Sequence, residues 1–263
     1  MDLGLKDRVA IVTGASMGLG RAIARELSRE RARVVIAARN ETRLRATAEE
    51  IRRETGCPVL PIRTDMTRPD DITALVQETV ARWGGVDIAV ANAGGPPGTR
   101  FETTEIAQVE RALELNLLST VRLAQEVTPH MQARRWGRFI ALTSVSVKQP
   151  LTGLILSNTA RAGVVGWVKT MAAELAPQGI LCNVVAPGFI RTGRVEDLAT
   201  ERARNEDRDT DEILAEIAGQ IPLGRMGEPE ELAALVAFLA SERASYLTGA
   251  TIQVDGGFVR GLL

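Results

Sequence analysis

This 263-residue sequence contains few cysteines and has almost no net charge. Cys57 and Cys182 are the only cysteines, and neither stands at a spacing typical of metal ligands, so we expect neither a disulfide framework nor a metal site. The formal net charge is -1, and acidic and basic residues are mixed along the chain. This balance argues against nucleic acid or an anionic membrane as the main partner.

Long apolar runs and a targeting signal are lacking as well. The first residues contain no apolar signal core, and no apolar run approaches the roughly 18 residues of a membrane span. Together with the two unpaired cysteines, these absences favour a cytoplasmic protein. Histidine occurs once, at His130, away from every motif described below, and we expect no catalytic role for it.

What the sequence does contain is a regular alternation of short apolar runs and helical periodicity. Strands are predicted at 8–13, 33–39, 59–65, 87–92, 138–144, 181–186 and 251–254. Leu19, Ile23 and Leu27 mark a first helix, and further helices are predicted near 42–55, 69–83, 104–134, 155–176 and 229–240. This order is typical of right-handed βαβ crossovers. It predicts an α/β fold with a Rossmann-type, doubly wound, seven-stranded parallel sheet, in a single domain over residues 1–263.

One segment differs from the rest of the chain in its charge. Residues 196–216 are dense in acidic and basic side chains, and they follow the end of a predicted strand. Ligands of open α/β sheets bind beyond such ends. Two interpretations stay open, namely a mobile helical lid over the site, at about residues 189–218, or a solvated surface helix.

A glycine-rich turn follows the first predicted strand. It reads Thr13-Gly14-Ala15-Ser16-Met17-Gly18-Leu19-Gly20, and a helix begins within it. Glycines let the backbone pass close to a diphosphate, and a helix N-terminus supplies free N–H groups and a favourable dipole. The spacing G-x-x-x-G-x-G differs from the common dinucleotide pattern. Its position between a strand and a helix still favours a dinucleotide site.

Six ordered motifs resemble those of the short-chain dehydrogenase/reductase family, and above all its bacterial β-ketoacyl-(carrier-protein)-reductase-like branch. They are the glycine turn, Ala91-Asn92-Ala93-Gly94, Asn116 in Glu-Leu-Asn-Leu, Leu142-Thr143-Ser144, Pro187-Gly188 with Ile190 and Thr192, and the tail over 246–257. The resemblance extends over the whole chain. It implies an NAD(P)(H)-dependent oxidoreductase that transfers hydride between a carbonyl and an alcohol, with Asn116 and Ser144 in its catalytic centre.

The same resemblance implies which residues contact the cofactor. They are Thr13, Gly14, Ser16, Met17, Gly18, Leu19, Gly20, Arg39, Asp65, Met66, Asn92, Ala93, Gly94, Arg161, Pro187, Gly188, Ile190 and Thr192. An acidic residue at the end of the second strand would hold the 2′-hydroxyl of NAD(H). Ala38 and Arg39 stand there instead. NADP(H) is therefore favoured over NAD(H), because a guanidinium can bind the 2′-phosphate, unless Arg39 points to solvent.

The catalytic pair of the family is altered in this sequence. Members carry Tyr-x-x-x-Lys after the active-site serine, and the matching positions are Ser157 and Arg161. Tyr246, the only tyrosine, belongs to the C-terminal motif. A phenol titrates near pH ~10, whereas a serine hydroxyl is far less acidic and Arg161 keeps its proton. The candidate catalytic residues are Ser144, Ser157, Arg161 and Asn116, without the proton donor of the family.

Three interpretations of this change stay open. In the first, Ser144 and Ser157 orient the substrate oxygen, a water held by Arg161 and Asn116 supplies the proton, and Lys148 either assists or is an exposed loop lysine. In the second, the chain binds NADP(H) without turnover, as a sensor or a silent partner subunit. In the third, the fold serves as a scaffold alone, against which the retained nucleotide motifs argue.

The resemblance also implies a homotetramer, since members assemble through their fourth and fifth helices and the C-terminal strand. Apolar surface on those helices is expected from Leu115, Leu117, Leu118, Val164, Val165 and Trp167. Residues 96–99, 145–154 and 189–218 are expected to line a substrate pocket. Their mixed apolar character favours a hydrophobic carbonyl or alcohol as the small-molecule partner.

Overall fold

The computed structural model describes residues 2–262, so Met1 and Leu263, the ends of the predicted domain, lie outside the described residues. Its centre is a sheet of β1 (Val9–Thr13), β2 (Arg33–Ala38), β3 (Val59–Arg63), β4 (Ile88–Ala91), β5 (Gly137–Leu142), β6 (Ile180–Pro187) and β7 (Thr251–Val254). The strand order is β3-β2-β1-β4-β5-β6-β7, and every neighbouring pair is parallel. The predicted seven-stranded, doubly wound sheet is confirmed.

Helices cover both faces of this sheet. They are α1 (Gly18–Arg29), α2 (Glu41–Thr55), α3 (Pro69–Trp83), α4 (Ile106–Ala112), α5 (Ser119–Arg134), α6 (Ile155–Leu175), α7 (Gly193–Glu206), α8 (Thr210–Gly219) and α9 (Pro229–Ala240). One core joins α1, α2 and α9 to the sheet, and a second core joins α3, α5 and α6 to the opposite face. Alternate residues of β1, such as Val12 and Ile11, belong to different cores. Burial on both faces explains why the strands are continuously apolar in the sequence.

Within the described chain, no helix combines the length and the apolar character that a membrane crossing requires.

The strand order reverses between β1 and β4, because β2 and β3 extend the sheet to one side and β5 to β7 extend it to the other. Ligands of open α/β sheets bind at this switch point, beyond the carboxyl ends of the strands. The glycine turn after β1 and the segment after β4 meet there. Each of these two segments was also singled out by a sequence motif.

The predicted continuous helix over 104–134 is wrong in one respect. α4 ends at Ala112, a π-helical segment spans Leu113–Leu118, and α5 follows from Ser119. A π turn inserts one residue into the helical hydrogen-bond ladder. It directs Asn116 inward, where the residue is 3% exposed and its Nδ2 donates to the Gly94 carbonyl (2.9 Å). The spacing of apolar residues in the sequence does not reveal a single residue inserted into a helix.

The surface expected from the central helices is smaller than the sequence predicts. Leu118 and Trp167 are 38% and 40% exposed, as expected for surface positions. Val164 is only 2% exposed and packs in the core that α6 shares with the sheet. The prediction that Val164 offers surface is therefore wrong, because this position faces the sheet.

The charged segment predicted as a lid forms two helices. α7 ends at Glu206, the next residue, Asp207, has a φ of 50° in the left-handed region, and α8 follows. Arg202 and Arg208 both donate to Glu216 (2.8 Å each) and thereby link the outer faces of the two helices. The buried Ile213 packs between them. The segment is helical as expected, and its mobility stays a prediction.

Candidate active site

The N-terminus of α1 is open to an anion. Among the described residues, no side chain caps this helix, and its first turn contains no acidic residue. The starts of α2 and α3, by contrast, carry Glu41 and the pair Asp70 and Asp71, which interact favourably with the positive end of the helix dipole. The first N–H groups of α1 are therefore left to bind a ligand such as a phosphate.

The glycine turn, which runs into the start of α1, depends on glycine at several positions, of which we describe Gly14 and Gly20. Gly14 has φ 59°, in the left-handed region that glycine tolerates best. At Gly20, a Cβ atom would lie 2.3 Å from the carbonyl oxygen of Gly14. A side chain at either position would change the course of the backbone that faces the ligand.

Hydrogen bonds join this turn to the end of β4. Thr13 Oγ1 donates to the Asn92 carbonyl (2.8 Å) and accepts from the Asn92 N–H (2.9 Å). The Asn92 side-chain amide donates to the carbonyls of Thr13 and Gly14 (3.2 and 3.3 Å). Thr13 is 1% exposed. Its side chain holds the two strand ends together, and a contact of Thr13 with a cofactor stays a prediction.

A cavity of about 460 Å³ extends from the glycine turn across the carboxyl ends of the strands. The predicted site residues that line it are Gly14, Met17, Gly18, Leu19, Asn92, Ala93, Gly94, Ser144, Ser157, Arg161, Pro187, Gly188, Ile190 and Thr192. Segments that are distant in the sequence thus form one cavity at the switch point of the sheet. A dinucleotide bound by its diphosphate at α1 fits this arrangement.

The remaining predicted site residues do not line this cavity. They are Thr13, Ser16, Gly20, Arg39, Asp65, Met66 and Asn116. Ser16 and Gly20 belong to the turn, where the Ser16 carbonyl accepts from the hydroxyl of Thr47 (3.1 Å). Met66 is 9% exposed and packs in the core on the α3 side of the sheet. A cofactor contact of Met66 stays a prediction, and the burial of its side chain leaves the backbone as the group that could make it.

Arg39 and Asp65 lie close together beyond the ends of β2 and β3. Burial opposes ionisation of Asp65, but hydrogen bonds from the N–H and hydroxyl of Thr67 (3.0 and 2.8 Å), with the charges of Arg39 and Arg68, hold the pKa of Asp65 below its ordinary value. Arg39 is exposed. Its guanidinium is therefore accessible to a phosphate as well as to this carboxylate.

Ser157 and Arg161 lie one turn apart on α6 and line the cavity together. Arg161 Nε donates to Ser157 Oγ (3.1 Å), and Nη1 donates to the carbonyls of Leu142 and Thr143 (3.2 and 2.9 Å). Burial, with a smaller effect of the positive charge of Arg194, lowers the pKa of Arg161 to about 10. Arg161 is still protonated at neutral pH, so it acts as a fixed hydrogen-bond donor.

Ser144 and Asn116 complete the predicted catalytic set. Ser144 lines the cavity, whereas Asn116 does not. Ser144 follows the end of β5, and its Oγ accepts from the Ser146 N–H (3.2 Å). Asn116 lies behind Gly94, outside the cavity wall. Its Oδ1 is buried and has no hydrogen-bond partner among the described residues. An unpaired buried acceptor is unfavourable by about 1–3 kcal/mol unless a ligand or a water pairs with it.

The start of α7 closes one side of the cavity. The Thr192 side chain lies over Gly18, with its Cγ2 3.6 Å from the position of a Cβ there. Two residues further on, Arg194 Nη2 donates to the Pro96 carbonyl (2.7 Å), in the segment after β4. The lid segment therefore contacts both the glycine turn and the segment that follows β4.

Several lining residues were not singled out by a motif. They are Gly95, Gly193, Arg194, Val195, Asp197 and Leu198. The last five fall within the predicted lid, and Pro96 and Leu154 also line the cavity within the ranges expected for a substrate pocket. The sequence does not distinguish Arg194 from the other arginines, because arginine supplies nearly all the positive charge.

Two residues that could replace the family tyrosine and lysine stand elsewhere. Tyr246 is fully exposed near the C-terminus of the chain. Lys148 is half-buried after a short 3₁₀ turn, and it does not line the cavity. Ser157 and Arg161 are consequently the side chains of α6 that face the cavity at this point.

Comparison with known sequences agrees with this arrangement. A family model described as enoyl-(acyl carrier protein) reductase matches residues 14–259. The 3-oxoacyl-[acyl-carrier-protein] reductase FabG of Aquifex aeolicus is 36% identical over 257 residues, which cover 98% of this chain and 99% of that protein. The Escherichia coli reductase of the same name is 35% identical over 255 residues, with 97% and 98% covered.

A solved structure is similar over the full length. L-Sorbose reductase from Gluconobacter frateurii, complexed with NADPH and L-sorbose, has a TM-score of 0.95 and 34% identity, and the match covers 100% of both chains. The parallel sheet, with a glycine turn at its switch point, defines the class of dinucleotide-binding α/β proteins. Within that class, the chain belongs to the short-chain dehydrogenase/reductase family. The predicted oxidoreductase is confirmed at this level.

Proposed function

We propose that this protein binds NADP(H) and interconverts a carbonyl compound and its alcohol, with Ser144, Ser157 and Arg161 around the reacting oxygen. The observation that carries the proposal is the single cavity that joins the glycine turn to these three residues. NADPH, when bound, supplies the hydride. The task of this chain is then to orient the substrate and to provide hydrogen bonds and a proton at its oxygen.

The proposed cofactor site uses backbone and side-chain donors along the cavity. The uncapped N–H groups at the start of α1 would hold the diphosphate, and the buried Arg161 would donate to ribose hydroxyls. Arg39 would bind the 2′-phosphate, which favours NADP(H) over NAD(H). The NADPH complex of L-sorbose reductase, a relative of equal length and high structural similarity, supports the same choice.

The hydrogen bonds around Ser157 support its role at the substrate oxygen. Because Arg161 Nε donates to Ser157 Oγ, one lone pair of the hydroxyl is occupied and its hydrogen is free for another acceptor. Ser144 has the same pattern, since its Oγ accepts from a backbone N–H. Both hydroxyls can therefore donate to one carbonyl oxygen, while the cation of Arg161 stabilises the negative charge that develops there.

The proton itself requires another source, because a serine hydroxyl is a weak acid and Arg161 retains its proton. We propose a water that contacts Arg161 and is connected to Asn116. The unpaired, buried Oδ1 of Asn116 supports such a position, since it lacks a hydrogen-bond donor among the described residues. Buried waters bind where two or more polar groups remain unsatisfied.

The structure also supports proposals on the type of substrate, the oligomeric state and the location of the protein. Leu19, Leu142, Leu154 and Ile190 line the cavity, which favours a carbonyl compound with an apolar body. A homotetramer would cover the exposed Leu118 and Trp167, together with the fully exposed Tyr246. We also propose a cytoplasmic location, which the two free thiols of Cys57 and Cys182 support.

Two measurements on the purified protein test the proposed function. Calorimetric titration with NADPH and NADH reports cofactor binding, and a panel of ketones, aldehydes and enones with NADPH reports turnover. We expect binding with preference for NADPH, and slow reduction of at least one apolar carbonyl compound. Binding without turnover across the panel would instead favour the silent sensor or partner subunit, and absence of binding would contradict both.

A further inference from the structure

The cavity contains more positive than negative charge. Arg161 and Arg194 both line it, and Asp197 is the one carboxylate among its lining residues in the described chain. Asp197 is exposed and lies within 4 Å of no guanidinium nitrogen among the described residues. The two arginines are close enough for the charge of Arg194 to lower the pKa of Arg161. An anionic ligand would relieve this repulsion between like charges.

Among the described residues, Arg194 has no acidic partner, and the same holds for Arg204 further along α7. Arg191 pairs with Glu228, Arg202 with Glu206, and Arg208 with Glu216. Arg194 instead donates through Nη2 to the Pro96 carbonyl, and neither its Nε nor its Nη1 has a hydrogen-bond partner in residues 2–262. Nη2 keeps a second hydrogen, which forms a free edge of the guanidinium together with a hydrogen of Nε or Nη1, and such an edge suits a carboxylate that accepts two parallel hydrogen bonds.

The anchoring of Arg194 places it near the substrate end of the cavity. Pro96 belongs to the segment after β4, which continues to Thr99, and Thr99 pairs with Leu154. Leu154 is the residue before α6 and lines the cavity. The guanidinium is therefore held against the segment after β4, and that segment in turn pairs with the residue before α6. The N–H groups of α1, which suit a diphosphate, belong to a different element.

We propose that Arg194 selects an anionic substrate, an oxo acid whose carboxylate it binds while the ketone lies at Ser144 and Ser157. The inference rests on the proposed function and adds the substrate class. The ketone would gain a hydride at carbon from NADPH and a proton at oxygen from water, which gives a hydroxy acid and NADP⁺. The carboxylate takes no part in the redox change, and the apolar lining contacts the rest of the molecule.

The test compares oxo acids with their neutral esters. Phenyl-substituted oxo acids with zero, one or two methylene groups between ketone and carboxylate are titrated into protein saturated with NADP⁺, which has no hydride to transfer to them, beside the methyl ester of each. NADPH binding is measured first, so its failure would count against the proposed function and not against Arg194. We expect the best-fitting acid to bind about 10- to 100-fold more tightly than its ester, the usual range for a charge-assisted hydrogen bond.

Two variants make the test specific to the guanidinium. Arg194→Gln is expected to remove the preference for acid over ester, while Arg194→Lys keeps part of it. Arg204→Gln is the matched control, since Arg204 is exposed on the same helix and does not line the cavity. It should leave the preference unchanged. The inference would be overturned if no acid binds more tightly than its ester, or if Arg194→Gln weakens acid, ester and NADPH equally.

Discussion

The two ends of the cavity present different parts of the chain to a ligand. At α1, the contacts come from backbone N–H groups and from a turn whose shape depends on Gly14 and Gly20. At α6, they come from the side chains of Ser157 and Arg161. A side-chain change at α6 alters the chemistry without moving the backbone. We therefore expect that a change of the Ser157 side chain affects proton transfer more than cofactor binding.

The largest effect is expected when the family pair is restored at α6. The double variant Ser157→Tyr with Arg161→Lys returns a phenol and an ammonium to the cavity. General acid catalysis contributes roughly 10²–10⁴-fold, so carbonyl reduction should rise by about 10²-fold or more. Steady-state kinetics with NADPH and a simple ketone measure it.

Each single change is the control for this double variant. Ser157→Tyr alone lacks the ammonium, and Arg161→Lys alone lacks the phenol, so neither should reach the rate of the pair. Reduction that stays at background in the double variant, although NADPH binds, would mean that the missing proton donor does not limit the reaction.

A second, slightly smaller effect is expected at the other end of the cavity. Gly20→Ala places a Cβ 2.3 Å from the Gly14 carbonyl oxygen, so the turn must shift. We expect an unfolding free energy lower by about 1–3 kcal/mol and NADPH affinity lower by about 100-fold. Urea unfolding and calorimetry measure the two quantities.

Gly166→Ala is the matched control for Gly20→Ala. Gly166 lies within α6, and nothing stands within 4 Å of a Cβ there. Because alanine is favoured over glycine in a helix, stability should rise by about 0.5–1 kcal/mol with unchanged NADPH binding. Equal behaviour of the two variants would show that the turn has no special need for glycine.

A third effect, on turnover, is expected at the α6 end of the cavity, where side chains and not backbone N–H groups face the ligand. Ser157→Ala removes the hydroxyl that accepts from Arg161 Nε, and we expect turnover to fall by about 10- to 100-fold with NADPH affinity changed less than about 3-fold. The control Thr159→Ala alters an exposed residue on the same helix and should change neither quantity. Loss of NADPH affinity in Ser157→Ala would contradict the expectation that this side chain serves the reaction and not cofactor binding.

The smallest effect concerns the choice between the two dinucleotides. Arg39→Gln removes the exposed guanidinium beyond β2, so NADPH affinity should fall by about 10-fold while NADH affinity is unchanged. Arg53→Gln, at an exposed position of α2, is the control. An equal loss for both dinucleotides would remove Arg39 from the 2′-phosphate site.

The features predicted from the sequence are those that depend on local patterns. β1 is a fully buried strand between two helical layers, and its run of five apolar or β-branched residues is sufficient to identify it. The glycine turn is recognised from its position between a strand and a helix, whereas Asn92 and Thr192 are recognised from their resemblance to family motifs. The meeting of Ser144 with Ser157 and Arg161 at one cavity follows from the same topology.

The features that sequence reasoning missed depend on contacts between distant segments. The π-helical segment at Asn116 requires a hydrogen bond to Gly94, and Arg194 is distinguished only by its bond to Pro96. Met66 follows a strand end, as a ligand-binding residue would, yet tertiary packing buries its side chain. Such contacts change side-chain roles without leaving a periodic pattern.

The central claim is that the glycine turn binds a dinucleotide although the α6 pair has changed. Calorimetric titration of the unaltered protein with NADPH, repeated with Gly20→Ala, tests it most directly. We expect one NADPH per chain for the unaltered protein and about 100-fold weaker binding for the variant. No heat of binding with either NADPH or NADH at millimolar concentration would contradict the account.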